Sequence, residues 1–369
     1  MLNRSLRYML WLTSALALAG YLHLTLPALF RAPSADPLDA TVIENATRIA
    51  KHQPAFLEPA GGGAIPLMPG FPFAVSGLVL LFDPQAWEPR LLSLLATLLA
   101  ASIVGLVVRF ETGSVTLGVA GAGFLMLGQV LGGRSPFASG PEALSLLLVL
   151  AGCMLLRYAP AMFGALSAAL VFAACCFTHV SGLWFAFAAL FHLAVHDRQR
   201  LVPFAIALAV LVGGGHVALS HALGPWFNYQ AWDLPLRAMR FAPNTLLGYV
   251  GTQLLGTLGV LSLGTVLSFA LPIPPWRGSV GIWTWMGFAA LGAGMISTQS
   301  SISAVDALRP AMIALAIIGP ISIQRVTHHL SAWPGSSRLG GQGVVLTALA
   351  LQFLMLLSRL TRARLGFGV

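Results

Sequence analysis

A chain of 369 residues that is 57% hydrophobic and only 8% charged is not an ordinary water-soluble domain, whose surface needs about 25% charged residues. Its net charge of +9 comes from 20 basic and 11 acidic residues, with Lys51 the only lysine. The arginines sit at helix ends and in short loops rather than on one domain, which argues against nucleic acid and fits positive-inside orientation and contact with anionic headgroups.

In chain order, Arg4 and Arg7 precede the apolar run Met9–Gly20, which continues through Leu22–Phe30 without an A-x-A cleavage site. Residues 1–30 are therefore expected to be a retained first transmembrane helix with a cytoplasmic N-terminus. Residues 31–83 come next as an extracytoplasmic loop, whose polar stretch Arg31–Pro66 holds Asp36, Asp39, Glu44 and Glu58, four of the eleven carboxylates in the chain. Within it Leu38, Val42, Ile43, Ala46, Ile49 and Ala50 recur at helical spacing, which predicts an amphipathic helix lying in the headgroup layer. Gly61, Gly62 and Gly63 break the chain, and Pro66, Pro69 and Pro72 punctuate the approach to the next apolar run.

Phe71–Phe82 is apolar but short beside the roughly 20 residues of a helical crossing. It either spans or lies in the interface, and the choice inverts every later loop. The interfacial reading is adopted because only then does His196-Asp197-Arg198-Gln199-Arg200 face the cytoplasm. That choice leaves Arg359, Arg362 and Arg364 outside, against the positive-inside rule.

Further crossings are expected at roughly 91–108, 115–131, 142–156, 160–177, 180–195, 201–221, 244–271, 280–297, 307–323 and 343–358. With the first helix they make about eleven crossings of an all-α transmembrane bundle. The bundle occupies residues 84–358 and a basic tail 359–369. A second polar stretch, Gly224–Asn244, contains Trp226, Tyr229, Trp232, Asp233, Arg237 and Arg240. The 39 glycines suit close helix packing in lipid. Cys153, Cys175 and Cys176 lie in apolar helices without metal or redox spacing and read as packing residues.

Few polar residues are placed to do chemistry. Asp39 opens the amphipathic segment, where it is either a general base taking a proton from an acceptor hydroxyl or amine, or a first-turn carboxylate favoured by the helix dipole. Arg134 and Glu142 bracket the loop R-S-P-F-A-S-G-P-E, and Glu142 follows Pro141 at a helix start, a dipole-compatible place. Thr178-His179 stands between two apolar helices. Asp306 and Arg309 can form a local pair, which is worth only about 0–1 kcal/mol if exposed. No Walker loop, zinc motif, dinucleotide fingerprint or nucleophile elbow occurs, so no cofactor and no metal are expected.

The order of these features resembles the GT-C membrane glycosyltransferases, in the branch of the protein O-mannosyltransferases and lipid A aminoarabinose transferases. That branch has an acidic residue after helix one, an A-x-x-I-x-x-G amphipathic helix, a Y-x-x-P step and a Y-P-P-L-Y-P segment. This chain reads D-A-T-V-I-E-N-A-T-R-I-A-K-H-Q-P-A-F-L-E-P from Asp39 to Pro59 and I-P-L-M-P-G-F-P-F from Ile65. Arg90-Leu91-Leu92-Ser93-Leu94-Leu95 matches R-L-x-S-x-L, and Arg109-Phe110-Glu111-Thr112-Gly113 comes after it as a basic residue before a glycine loop. Arg134 through Glu142 echoes R-x-x-x-x-D, Thr178 through Leu183 echoes T-K-x-x-G-L, and Ser300 through Pro310 echoes S-x-x-N-Y-x-x-P. The chain departs at His52 for glycine, Phe56 for tyrosine, Ile65 for an aromatic, Glu142 for aspartate and His179 for lysine. The resemblance does not extend to the large soluble C-terminal domain of many relatives.

The resemblance covers roughly residues 1–325. It implies inverting transfer of a sugar from a polyprenyl-phosphate-linked donor, on the outer face of a bacterial inner membrane, to an unknown acceptor. Asp39 would be the base, with Glu44 and Glu142 as the competing carboxylates. Arg134, His179, Arg237, Arg240, Asp306 and Arg309 would line the substrate, the cations neutralising the departing lipid phosphate. Neither a nucleotide sugar nor an obligatory metal is implied. The alternative is a non-catalytic membrane subunit or lipid-binding scaffold on the same fold, acting with a partner in a membrane complex. A secondary transporter is a third option, with no paired broken helices in two repeated halves to support it.

Overall fold

The computed structural model describes residues 2–30, 37–58, 65, 67–131, 140–238, 255–271, 281–297, 309–331 and 338–364. All regular structure among them is helical. The order is α1 (Leu2–Leu29), α2 (Pro37–Ala50), α3 (Gly70–Phe82), α4 (Trp87–Thr112), α5 (Val115–Leu131), α6 (Pro141–Tyr158), α7 (Ala161–Thr178), α8 (Gly182–His196) and α9 (Arg198–Ala222). A π-helical turn, Tyr229–Asp233, then runs into α10 (Leu234–Ala238), followed by α11 (Gly256–Phe269), α12 (Gly281–Ser297), α13 (Arg309–Ser331) and α14 (Arg338–Arg364). Among the described helices α1, α4, α6, α7, α9 and α13 are long and apolar enough to cross a bilayer, and the molecule is a multi-pass membrane bundle.

The expected crossings fall on these helices, but the helices run further than the apolar stretches, because backbone hydrogen bonding does not stop where hydrophobicity does. α14 continues to Arg364, past the expected start of a tail at 359, and the sequence 344–364 holds neither Gly nor Pro to end it. The crossing expected over 244–271 is described from Leu255, and it is irregular at Leu258, whose φ is −118° and ψ 32°.

The chain divides into two compact units interleaved in sequence, one of residues 1–24, 101–136 and 241–369, the other of residues 25–100 and 137–240. In the first, α5 and α13 run antiparallel, with Gly121 against Ala316 and Gly128 against Met312. A Cβ on Gly121 would lie 2.9 Å from the Ala316 carbonyl oxygen, so only glycine permits this approach of backbones in lipid. Gln352 of α14 is fully buried, and its Oε1 accepts the Val260 N–H at 2.9 Å and the Leu261 N–H at 3.3 Å. Those amides open the regular part of α11 after its break and would otherwise be orphaned.

In the second unit α6, α7, α8 and α9 pack as consecutive antiparallel helices through small buried residues, among them Ala165, Ala168 and Ala169 and the free thiols of Cys153, Cys175 and Cys176. The apolar stripe of α2 closes on α3: Val42 and Ala46 pack with Leu67, Phe71, Val75 and Val79. Burying side chains of this size contributes about 1.5–3 kcal/mol each for the larger ones. Arg90 at the start of α4 donates from Nη1 to the Ala28 carbonyl at the end of α1 at 2.9 Å. α3 therefore enters and leaves at one end of this unit.

Gly70, the first residue of α3, is pressed on the end of α7, where a Cβ would lie 2.7 Å from the Phe177 carbonyl oxygen and 2.8 Å from Thr178 Oγ1. Gly70→Ala is expected to lower stability by about 1–3 kcal/mol through overpacking. Gly77→Ala, on the same helix with nothing within 4 Å of its Cβ, should be neutral or gain up to about 1 kcal/mol. Thermal unfolding of both variants in detergent checks the contrast.

Candidate functional site

Several polar elements meet at one end of the second unit. The starts of α4 and α6 are joined by Ser93 Oγ donating to the Gly140 carbonyl at 3.3 Å. The strand-like segment after α2 is tied to the end of α9 by the Phe56 N–H donating to the Leu223 carbonyl at 3.0 Å. Gln230 Nε2 donates to the Leu57 carbonyl at 2.7 Å. Gly224 has φ +106°, a turn that a side chain would strain, and it lies against Phe56.

Asp39 stands in the first turn of α2 and is only 4% exposed. Its Oδ2 accepts from Arg90 Nη2 at 3.0 Å and Nε at 3.3 Å. The guanidinium thus grips α2 and, through Ala28, the end of α1. It holds the carboxylate as an oriented anion, and a buried pair of this geometry survives because further hydrogen bonds satisfy the fork. The sequence placed Arg90 in a motif without giving it a role. The partner could not be read because 51 residues separate it from Asp39.

Glu44 lies about 140° round the helix from Asp39 at 100° per residue. It is 61% exposed and engaged by Arg48 at 2.9 Å. Glu88 was missed altogether. It is fully buried at the start of α4, where the Gln85 backbone meets its carboxylate. A carboxyl two residues from Arg90 and sequestered in this way is the kind of group that calls for an explanation.

Glu142 sits at the start of α6 with its carboxylate folded back over Gly140, where any Cβ would strike it. It lies near enough to His179 to act on its charge. His179 caps α7, and its Nδ1 accepts the Ser181 N–H at 3.2 Å with Ser181 Oγ at 2.7 Å. In the neutral ring this puts the proton on Nε2. Burial pushes the imidazole below its ordinary pKa and the Glu142 carboxylate opposes it. His179 is thus a neutral N–H donor at rest, where a lysine would be a cation, and an arriving anion would raise its pKa.

Arg237 on α10 is exposed, with its guanidinium over the Tyr229 ring at 5.9 Å. Trp232 packs edge-on to His216 at 5.9 Å. Arg134, Arg240 and Asp306 lie outside the described residues. Arg309 opens α13 in the first unit, at the end where Met312 abuts Gly128 of α5. The structure therefore gathers Asp39, Glu142, His179 and Arg237 in one unit and leaves Arg309 in the other.

No family model matches the chain, and no curated protein matches it in sequence. Solved structures do. ArnT from Cupriavidus metallidurans bound to undecaprenyl phosphate superposes with a TM-score of 0.56 at 14% identity, over 95% of this chain and 77% of that one. Its apo state gives 0.59 at 12% identity, over 94% and 76%. The Archaeoglobus fulgidus oligosaccharyltransferase tethered to an acceptor peptide with an NVT sequon gives 0.55 at 12% identity, over 97% of this chain and 55% of that one.

Proposed function

We propose that this chain, which has the GT-C fold, transfers a sugar from a polyprenyl-phosphate donor to an acceptor on the extracytoplasmic face of a bacterial inner membrane. The observation that carries this reading is the buried carboxylate of Asp39, fixed by Arg90 at the polar end of the second unit, in a fold whose likeness ArnT was solved with undecaprenyl phosphate bound. Sidedness is supported by Arg157, at the opposite end of α6 from Glu142, and by Arg198 and Arg200, of which Arg200 donates to the Leu156 carbonyl at 2.8 Å. Arginines over short loops mark a cytoplasmic end, so the end with Asp39 faces out and α3 lies in the interface.

In the proposed reaction an acceptor hydroxyl or amine attacks the anomeric carbon and its proton passes to Asp39. The bond from that carbon to the phosphate oxygen breaks, and the electron pair leaves with the polyprenyl phosphate. Configuration inverts. The charge gained by the phosphate is met by the Nε2–H of His179, oriented by Ser181 before the reaction begins, and by the cations Arg237 and Arg240. Glu142 keeps His179 able to take up a proton as that charge develops.

One observation favours the alternative of a lipid-binding scaffold or non-catalytic subunit. Both Arg90 bonds to Asp39 and its bond to Ala28 tie α1, α2 and α4 together, which is a sufficient reason for a structural ion pair. The test common to both readings is binding of undecaprenyl phosphate against undecaprenol by the purified chain in detergent. The phosphate is expected to bind more tightly, and His179→Ala or Arg237→Ala with Arg240→Ala to lose about 10-fold, as for one charge-assisted hydrogen bond. Equal affinity for the alcohol would remove the lipid-phosphate reading.

A further inference from the structure

The stretch from Trp226 to Arg237 has two unlike faces. Phe227, Gln230 and Ala231 are buried, with Phe227 packed edge-on to Phe56 at 5.5 Å and Gln230 bonded to Leu57. The other face carries the half-buried Tyr229 and the exposed Asp233 and Arg237, with Trp226 at its edge, packed against the Phe56–Phe227 cluster and edge-to-face to Tyr229 at 5.6 Å. Between them lies the π turn Tyr229–Asp233, closed by the Leu234 N–H on the Tyr229 carbonyl.

The extra residue of that turn decides what the outer face displays. In an unbroken α-helix Tyr229 and Arg237 would stand about 80° apart, and one inserted residue brings them to about 20°. The observed guanidinium over the Tyr229 ring is the result. An interfacial anchor would need the aromatic rings and the arginine, but not a carboxylate facing anionic headgroups and not a helix distortion to align them. Two aromatic rings, a carboxylate and a guanidinium in one strip instead suit a pyranose beside a phosphate. Ring faces take the apolar C–H face of a sugar, a carboxylate accepts from neighbouring hydroxyls, and the guanidinium takes the phosphate oxygens.

We infer that the strip Trp226–Tyr229–Asp233 is the subsite for the sugar of the donor lipid, with Arg237 on the phosphate that carries it. This rests on the transfer reaction proposed above and adds which residues choose the sugar. Aromatic contact and hydroxyl recognition are properties of the carbohydrate, so the strip should discriminate between donors while the carboxylate Asp39 serves any of them.

The experiment measures binding by the full-length chain in detergent of bare undecaprenyl phosphate and of a panel carrying glucose, mannose, N-acetylglucosamine or an aminopentose. At least one sugar-bearing lipid is expected to bind ten-fold or more tightly than the bare lipid. Trp226→Ala and the milder Asp233→Asn are expected to erase that increment and leave the affinity for the bare lipid unchanged. A panel in which no sugar adds affinity overturns the subsite. So do variants that weaken bare and sugar-bearing lipids equally, the behaviour of a membrane anchor. Failure of bare undecaprenyl phosphate to bind better than undecaprenol instead overturns the function on which the inference rests.

Discussion

Asp39→Asn is expected to reduce sugar transfer by about 10²–10⁴-fold, the usual contribution of a positioned general base. Asparagine keeps the shape of the side chain and one acceptor for Arg90, and removes the site that takes the acceptor's proton. Loss of the negative charge also weakens the buried pairing of Arg90, itself 6% exposed, so the variant will be less stable and its turnover must be divided by the folded fraction. Glu44→Gln should retain near-native transfer, because Glu44 faces away and is engaged with Arg48. Glu142→Gln should weaken transfer by acting on His179 rather than abolish it. Transfer measured in proteoliposomes with undecaprenyl-phosphate-linked sugars separates these cases. Near-native turnover of Asp39→Asn together with an inactive Glu44→Gln would move the base to Glu44.

Breaking the pair from its other side is expected to have the largest effect on stability. Arg90→Ala removes the guanidinium from a buried carboxylate together with the bond to Ala28, a loss of about 3–5 kcal/mol for a broken buried pair. Arg90→Lys retains the charge without the planar fork and should recover part of it. Joining Asp39→Asn with Arg90→Gln removes both charges and leaves neutral partners, so stability should return to within about 1–2 kcal/mol of the native chain. Transfer should stay lost in that double variant. A double variant that is folded and still supports full transfer assigns the pair to structure alone and places the base elsewhere, whereas one that keeps full biological function without any transfer favours the scaffold reading.

Local sequence patterns specify the solvent of this protein, its helical class and the place of most of its apolar helices. These are local properties: a bilayer demands long apolar runs with backbone bonds closed within the segment, and α5, α7 and α12 stand within a residue of their expected limits. The amphipathic helix over Pro37–Ala50 was legible for the same reason, since its period lies in fourteen adjacent residues. The candidate site was legible only in part. Asp39 could be named from its place after the first helix, but its burial and its partner depend on α4 returning to the end of α1, a contact between residues 28 and 90 that no local pattern encodes. Glu88 drew no notice in the sequence because its burial at the start of α4 comes from packing and not from any local pattern. The alignment of Tyr229 with Arg237 comes from a single inserted residue in a helix, a choice made by the docking of Phe227 and Gln230 on Phe56 and Leu57. Periodicity fixes which residues share a helix; which of them meet is decided by how helices far apart in sequence pack.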